Sequence, residues 1–314
     1  MKKESLTKHL NEITRQRIEA PDLGRAVAEK RIRRESLTTD GRLNIIAADH
    51  PARRITQAGS NPMAMADRHD YLQRIAEILI ADAADGVMAT MDVLEELLIL
   101  SYLIELDGGQ SFVDNKVLIA SLNRGGLSRS AWELDDPVTG ANPRTCDEWN
   151  LDGGKMLLRI EDEDPNSLKT MQYCAEAINH LLYLNLPMFL EPLPVVREKS
   201  GLLKVKKDAE SLATIVGVAS ALGEASSRLW LKLPYCDKFD TVAKSTTLPI
   251  LLLGGESQDE KVVLKEIKTA LENSPNVCGT MIGRNVLYAK DKSHVGMAEE
   301  VNALVHEHLV VTGP

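Results

Sequence analysis

Residues 154–195, GKMLLRIEDEDPNSLKTMQYCAEAINHLLYLNLPMFLEPLPV, read as a strand, a helix and a second strand. "GKMLLRIE" (154–161) and "PMFLEPLPV" (187–195) are short, apolar and β-rich, whereas "PNSLKTMQYCAEAINHLLYL" (165–184) carries its apolar residues at helical spacing. Two strands joined through a helix lie parallel in one sheet.

The same alternation extends in both directions. Further strand runs are "LNIIAAD" (43–49), "GVMATMDVL" (86–94) and "KVLIASLN" (116–123) on the N-terminal side. On the C-terminal side they are "RLWLKLP" (228–234), "PILLLGG" (249–255) and "VCGTMIGRN" (277–285). Helical patterns fall at 67–83, 208–222, 257–273 and 297–310. Eight strands and a closing helix predict an α/β fold, a (β/α)8 TIM barrel with an N-terminal helical extension. The extension is expected at residues 1–42 and the catalytic barrel at 43–314. No GxGxxG follows the first strand, so a dinucleotide-binding sheet is not indicated. One connection, 124–153, is unusually long, rich in Gly, Arg, Asp and Pro, and such a loop is usually functional or disordered.

The 314 residues carry a net charge of −9, which argues against a nucleic-acid partner. The first 36 residues hold ten Lys/Arg and six Asp/Glu; their "KRIRRES" run reads as the solvated face of an N-terminal helix that caps the fold or meets a neighbouring subunit. Cys146, Cys174, Cys236 and Cys278 form no CxxC pair and fit reduced thiols. No apolar signal region and no run of about 18 apolar residues is present. A soluble, cytoplasmic protein without a membrane partner is expected, as a homo-oligomer of the kind such barrels often form.

A TIM barrel places its active site at the C-terminal ends of its strands. Four polar residues interrupt the apolar runs there: Asp49, Lys155, Glu191 and Lys232. Each has a structural alternative: a loop cap for Asp49, a solvent-facing strand start for Lys155, an ion pair with a helix arginine for Glu191, and a structural ion pair for Lys232. A Lys, Glu, Lys series on three neighbouring strands is also what amine catalysis requires. A lysine amine attacks a carbonyl only when neutral, and desolvation plus a second cation favours that form. A carboxylate then moves protons. Lys232, in the middle of "LWLKLPY" (229–235), is the expected Schiff-base residue, with Arg159 as a further substrate-binding cation. Gly254 and Gly255 after the seventh predicted strand, and Gly283 and Arg284 after the eighth, fit the phosphate loops common in such barrels.

On these residues the chain resembles class I (Schiff-base) aldolases of the bacterial and archaeal fructose-bisphosphate and tagatose-bisphosphate superfamily, over residues 43 to 290. "IIAADHP" is similar to the strand whose aspartate contacts substrate hydroxyls, here Asp49, and "LDGGKMLLRI" to the strand whose lysine supports the reactive amine, here Lys155. "MFLEPLPV" is similar to the acid/base strand, here Glu191, "LWLKLPY" to the Schiff-base strand, here Lys232, and "LLLGG" and "IGRN" to the phosphate loops. His50 and Pro51 depart from the family's DHG or DES, and Glu256 stands where relatives carry a basic signature. The pattern is most similar to a subgroup of actinobacterial inositol-catabolism clusters regarded as 5-dehydro-2-deoxyphosphogluconate aldolases, whose substrate carboxylate Arg124 or Arg129 would receive. The resemblance implies a carbon–carbon lyase with no cofactor and no metal. It implies a phosphorylated sugar or keto-acid substrate that forms or yields dihydroxyacetone phosphate.

Three other readings compete. A zinc aldolase needs clustered histidines, and the seven here are scattered, His306 and His308 lying two apart across Glu307. An isomerase or epimerase would use Glu191 as base, and a non-catalytic sensor would keep only the pocket.

Overall fold

The computed structural model describes residues 3–255 and 259–306, with side chains from residue 6 onward. Glu256, Glu307 and His308, and the end of the predicted terminal helix, lie outside the described residues. The strands are β1 (Leu43–Ala48), β2 (Gly86–Ala89), β3 (Val117–Ser121), β4 (Gly153–Ile160), β5 (Met188–Arg197), β6 (Leu203–Val205), β7 (Leu229–Pro234), β8 (Ile250–Leu253) and β9 (Val277–Ile282). Their order, β4-β3-β2-β1-β9-β8-β7-β5, closes through a β4–β5 pairing, and every rung of that cycle is parallel. This is the expected (β/α)8 barrel. The short β6 stands outside the cycle, antiparallel to the end of β5.

The helices are α1 (Lys3–Glu19), α2 (Leu23–Lys30), α3 (Arg68–Ile80), α4 (Met91–Leu106), α5 (Pro143–Glu148) and α6 (Asn166–Tyr183). They continue as α7 (Ala209–Ser220), α8 (Phe239–Ala243), α9 (Glu260–Asn273), α10 (Arg284–Leu287) and α11 (His294–His306). Successive strand residues point to opposite faces. Leu43, Ile45 and Ala47 of β1 therefore join Met88, Val117, Ile119, Phe189, Leu251 and Met281 inside the barrel. Ile46 and Ala48 face the helical layer instead.

Two sequence readings change. The run 86–94 is not one strand: β2 ends at Ala89 and α4 begins at Met91. Its helical period is hidden because α4 is buried on several sides, packing on β3 and also under α1 and α2. The basic run after α2 is not a solvated helix face. It crosses the N-terminal end of the barrel in non-helical conformation. There the Arg31 side chain, fully buried, donates to Asp152 Oδ2 and Asn150 O, both at 2.6 Å, and to Lys116 O at 3.0 Å. Arg33 donates to Asp152 Oδ1 at 2.8 Å, and Arg34 to Asp85 Oδ1 at 2.8 Å. Asp152 and Asp85 in turn accept the backbone N–H groups of Leu118 and Asn44. The strap thus ties together the entries of β1, β2, β3 and β4.

His306 closes the same face from the other end of the chain, its Nδ1 2.7 Å from Asp40 and its Nε2 3.0 Å from Asp85. The hydrogen bond to Asp85 is the largest influence, burial opposes it, and Asp40 adds to it; the imidazole is raised to about 8.

Two outcomes follow from this closure. Arg31→Met leaves Asp152 buried without its main partner and should destabilise the fold by about 3–5 kcal/mol, read as a lowered urea midpoint. His306 is protonated more readily folded than unfolded. Its contribution is full below pH 6.5 and is lost as pH rises through about 8. The wild-type melting temperature should fall across that window, and His306→Gln should flatten the fall; parallel curves would remove His306 from the closure.

Candidate active site

Side-chain alternation aims four strands into one cavity of about 820 Å³ at the C-terminal mouth. β4 contributes Lys155, Leu157 and Arg159, β5 contributes Glu191, Leu193 and Val195, and β7 contributes Lys232 and Pro234. Asp49 enters from the first position after β1. Nine Lys/Arg and four Asp/Glu line the cavity, a local excess of positive charge in a chain of net charge −9.

The four sequence-predicted polar residues meet at its floor, all buried. Glu191 Oε2 lies 2.6 Å from Lys155 Nζ and 2.9 Å from Lys232 Nζ. Lys155 Nζ lies 3.4 Å from Asp49 Oδ2, which also accepts from Ser121 Oγ at 2.9 Å and from Arg124 Nη1 at 3.0 Å. The alternatives for Lys155 and Glu191 do not describe this arrangement, whereas Lys232 does form the ion pair that its alternative named. Lys155 is 2% exposed rather than solvent-facing, and Glu191 pairs with two strand lysines rather than a helix arginine.

Burial works against every charge in the group. For Glu191 it raises the carboxyl, but the Lys155 and Lys232 ammoniums outweigh it and bring the group down to about 2. Asp49 is likewise opposed by burial and held well below the carboxylate range by Arg124 and Lys155. For Lys155 burial prevails over the Asp49 and Glu191 carboxylates, and Lys232 and Arg124 add to it, so its ammonium is lowered. Removal from water brings His50, beside Asp49, down to about 3; the Asp49 charge pulls the other way, and the cations Arg284, Lys232 and Arg124 do not.

The glycine loops stand at the opposite wall. Gly255 has φ +65°, and its carbonyl accepts from Arg284 Nη2 at 3.2 Å; Asn285 Nδ2 donates to Gly254 O at 2.6 Å. A Cβ on Gly283 would stand 2.2 Å from Ala47 O, so only glycine lets β9 end this close to β1.

Arg159 is placed differently from the free substrate cation expected of it. Its guanidinium donates to the Glu133 carboxylate and carbonyl and to Gly126 O. Burial lowers it, with Arg53 nearby. Arg53, which the sequence reading passed over, donates to Asp136, to Gly126 O at 2.8 Å and to Asn123 O at 2.6 Å. These two buried arginines pin the first part of the 124–153 loop over the mouth, where Arg124, Ser128 and Arg129 reach the cavity. The signal for Arg53 was a second basic residue close behind the Asp49 strand, in "DHPARR". Among the described residues no group of three or more His, Cys, Asp and Glu could hold a metal ion, and no helix is long and apolar enough to cross a membrane.

A family model described as Cgl0159-like matches residues 41–303. The crystal structure of Cgl0159 from Corynebacterium glutamicum is 33% identical, covers 96% of this chain and 98% of its own, and superposes with a TM-score of 0.89. The chain belongs to the Cgl0159-like family. An archaeal fructose 1,6-bisphosphate aldolase is 18% identical, covering 86% of this chain and 96% of its own, with a TM-score of 0.61. A Schiff-base-forming fructose-1,6-bisphosphate aldolase is 20% identical, covering 85% and 95%, with a TM-score of 0.59. These likenesses show an aldolase-like TIM barrel. No curated protein matches the chain in sequence.

The electrostatics of the floor are directly measurable. Lys155→Met keeps the bulk and removes a cation from both carboxylates, so Glu191 should titrate above its resting value of about 2, and Asp49 should rise with it. Carbon-13 carboxyl titration by NMR checks this, and an unmoved Glu191 midpoint would place the ammonium elsewhere.

Proposed function

We propose that this Cgl0159-like chain is a class I aldolase that makes or breaks a carbon–carbon bond through a Schiff base on Lys232. The observation that carries the reading is one buried oxygen, Glu191 Oε2, shared between Lys155 Nζ and Lys232 Nζ at the active-site end of the barrel. Lys155 is held by two carboxylates, whereas Lys232 is held by one and lies on β7 beside the glycine-bearing end of β8. That leaves Lys232 the freer amine for a ketone.

In this mechanism the Lys232 nitrogen adds to the carbonyl of dihydroxyacetone phosphate or of the longer keto-sugar or keto-acid. Glu191 takes the amine proton and returns it to the carbinolamine hydroxyl, which leaves as water. A group held at about 2 is a weak base, yet two adjacent ammoniums put it there. When Lys232 gives up its charge, one of them is gone and the carboxylate becomes more basic. Glu191 then takes the proton of the hydroxyl that becomes the aldehyde oxygen, as the iminium withdraws the electron pair of the adjacent carbon–carbon bond. The aldehyde departs, the enamine carbon receives that proton from Glu191, and water hydrolyses the iminium so formed. Asp49, fixed by Ser121 and Arg124, is placed to bind a substrate hydroxyl. The phosphate is taken by Gly254, Gly255, Gly283 and Arg284.

For the finer substrate, the sequence resemblance points to 5-dehydro-2-deoxyphosphogluconate in inositol catabolism. A substrate with a phosphate at one end and a carboxylate at the other suits a cavity with cations on both walls.

Borohydride added with dihydroxyacetone phosphate should inactivate the protein and leave one reduced triose phosphate on Lys232 by mass spectrometry, with EDTA without effect on turnover. No adduct would leave the isomerase or sensor readings, an adduct on Lys155 would reassign the nucleophile, and EDTA-sensitive cleavage would favour zinc.

A further inference from the structure

The β5–β6 hairpin has no part in the scheme so far. β5 continues past the barrel rim, and Val195, Val196 and Arg197 pair with Val205, Lys204 and Leu203. Val195, Leu203 and Val205 pack with Leu134, Leu157, Leu193 and Leu253, so the hairpin is seated on the rim. Lys206 N donates to Pro194 O at 2.9 Å, and two residues later Asp208 caps α7 by accepting Ser211 N at 2.8 Å. Lys207 is fixed between these two anchors.

The lysines on this segment differ. Lys206 lies 3.7 Å from Asp162, and Lys204 lies 3.8 Å from Glu198. Lys207 lines the cavity, and no hydrogen bond or ion pair of its ammonium occurs among the described residues. Its Nζ stands 3.6 Å from the point that a Cβ on Gly255 would occupy. Gly255 also accepts the Arg284 guanidinium through its carbonyl. An ammonium and a guanidinium, from elements some 77 residues apart in the chain (207 and 284), therefore converge on one glycine in the left-handed conformation. An ammonium without an ion pair among the described residues, held beside a glycine loop and a guanidinium, suits a phosphate dianion.

We propose that Lys207 is a phosphate-binding residue, the third arm of a site completed by Arg284 and the Gly254–Gly255 backbone. The hairpin exists to carry it there, and the ligand is the terminal phosphate monoester of a small substrate. The proposal deepens the aldolase reading, on which the phosphate's place in the reaction rests, but the anion site itself needs no chemistry at Lys232.

Calorimetric titration with inorganic phosphate tests it on the full chain. Wild type should bind one phosphate, Lys207→Met should bind it roughly ten- to a hundredfold more weakly, and Lys207→Arg should retain most of the affinity. Lys206→Met, on the neighbouring side chain, should bind as wild type. Borohydride trapping with unphosphorylated dihydroxyacetone should be unchanged in Lys207→Met. Failure of trapping in all variants with loss of phosphate binding in Lys207→Met alone would sink the aldolase reading and keep this site. Equal phosphate affinity in Lys207→Met and wild type, or no binding by wild type, would overturn the proposal.

Discussion

The Glu191 carboxylate is the fixed point of the active-site end. The cycle of strands puts β5 between β4 and β7, so a side chain from its inner face has a lysine strand on either side. Pairing of β4 with β5 runs from Gly154–Met188 to Ile160–Pro194 and sets Leu157 opposite Glu191. Lys155 then sits one inward step lower and reaches up to the same oxygen. A slip of one residue would turn Glu191 toward the helical layer and leave two buried ammoniums facing each other. Register, burial and ion pairing are therefore a single constraint here. The charged floor is tolerable because the barrel holds its geometry, and each lysine has a carboxylate within 3 Å.

The two ends of the barrel use buried charge for different purposes. At the N-terminal end Arg31, Arg33, Arg34 and His306 meet Asp152, Asp85 and Asp40, and the carbonyls of Lys116, Asn150 and Asn115 accept further donors of Arg31 and Arg34. Those charges tie strand entries together. At the C-terminal end Arg53 and Arg159 play the same part, holding a loop through Asp136, Glu133 and three carbonyls. Only the floor differs. There three cations, Lys155, Lys232 and Arg124, share two carboxylates, Asp49 and Glu191. A buried group one charge from balance favours release of a proton from an ammonium or capture of an anion, and both belong to the proposed reaction.

Much of this was legible in the sequence because parallel strands buried on both faces leave short apolar runs, in which Asp49, Lys155, Glu191 and Lys232 are conspicuous. The resemblance to Schiff-base aldolases rested on those runs, and the barrel is as it implied. What escaped depended on contacts distant in sequence. α4 lost its helical signature because α1 and α2 cover its outer side. The arginines after α2 looked like a solvated charge run, since their partners Asp85 and Asp152 lie roughly 50 and 120 positions away. Arg159 sat on the right strand and faced the right way, but its donors are claimed by a loop whose path no local pattern specifies. The β5–β6 hairpin was hidden by the polar turn in "VVREKSGLLKV", which reads as the end of a strand rather than its reversal.

Pairing within the walls also gives the cavity a direction. Arg53 and Arg159 answer to Asp136 and Glu133, Lys204 to Glu198, and Lys155 and Arg124 to the floor carboxylates. Among the described residues, two cations of the lining enter no ion pair: Arg129 on the pinned loop after β3, and Lys207 over Gly255 after β8. In the proposed reaction the amine of Lys232 must lie within a few bonds of the phosphate, because the ketone and the phosphate of dihydroxyacetone phosphate are on adjacent carbons. β7 is the neighbour of β8 and is separated from β3 by β5 and β4. The short phosphate-bearing end of the substrate thus belongs on the Gly255 side, and the departing aldehyde on the side of Arg124 and Arg129. In that proposed reaction, strand order together with the placing of Arg129 and Lys207 gives the substrate its polarity, and the 124–136 loop rather than the Gly254–Gly255 loop is the part that meets the aldehyde.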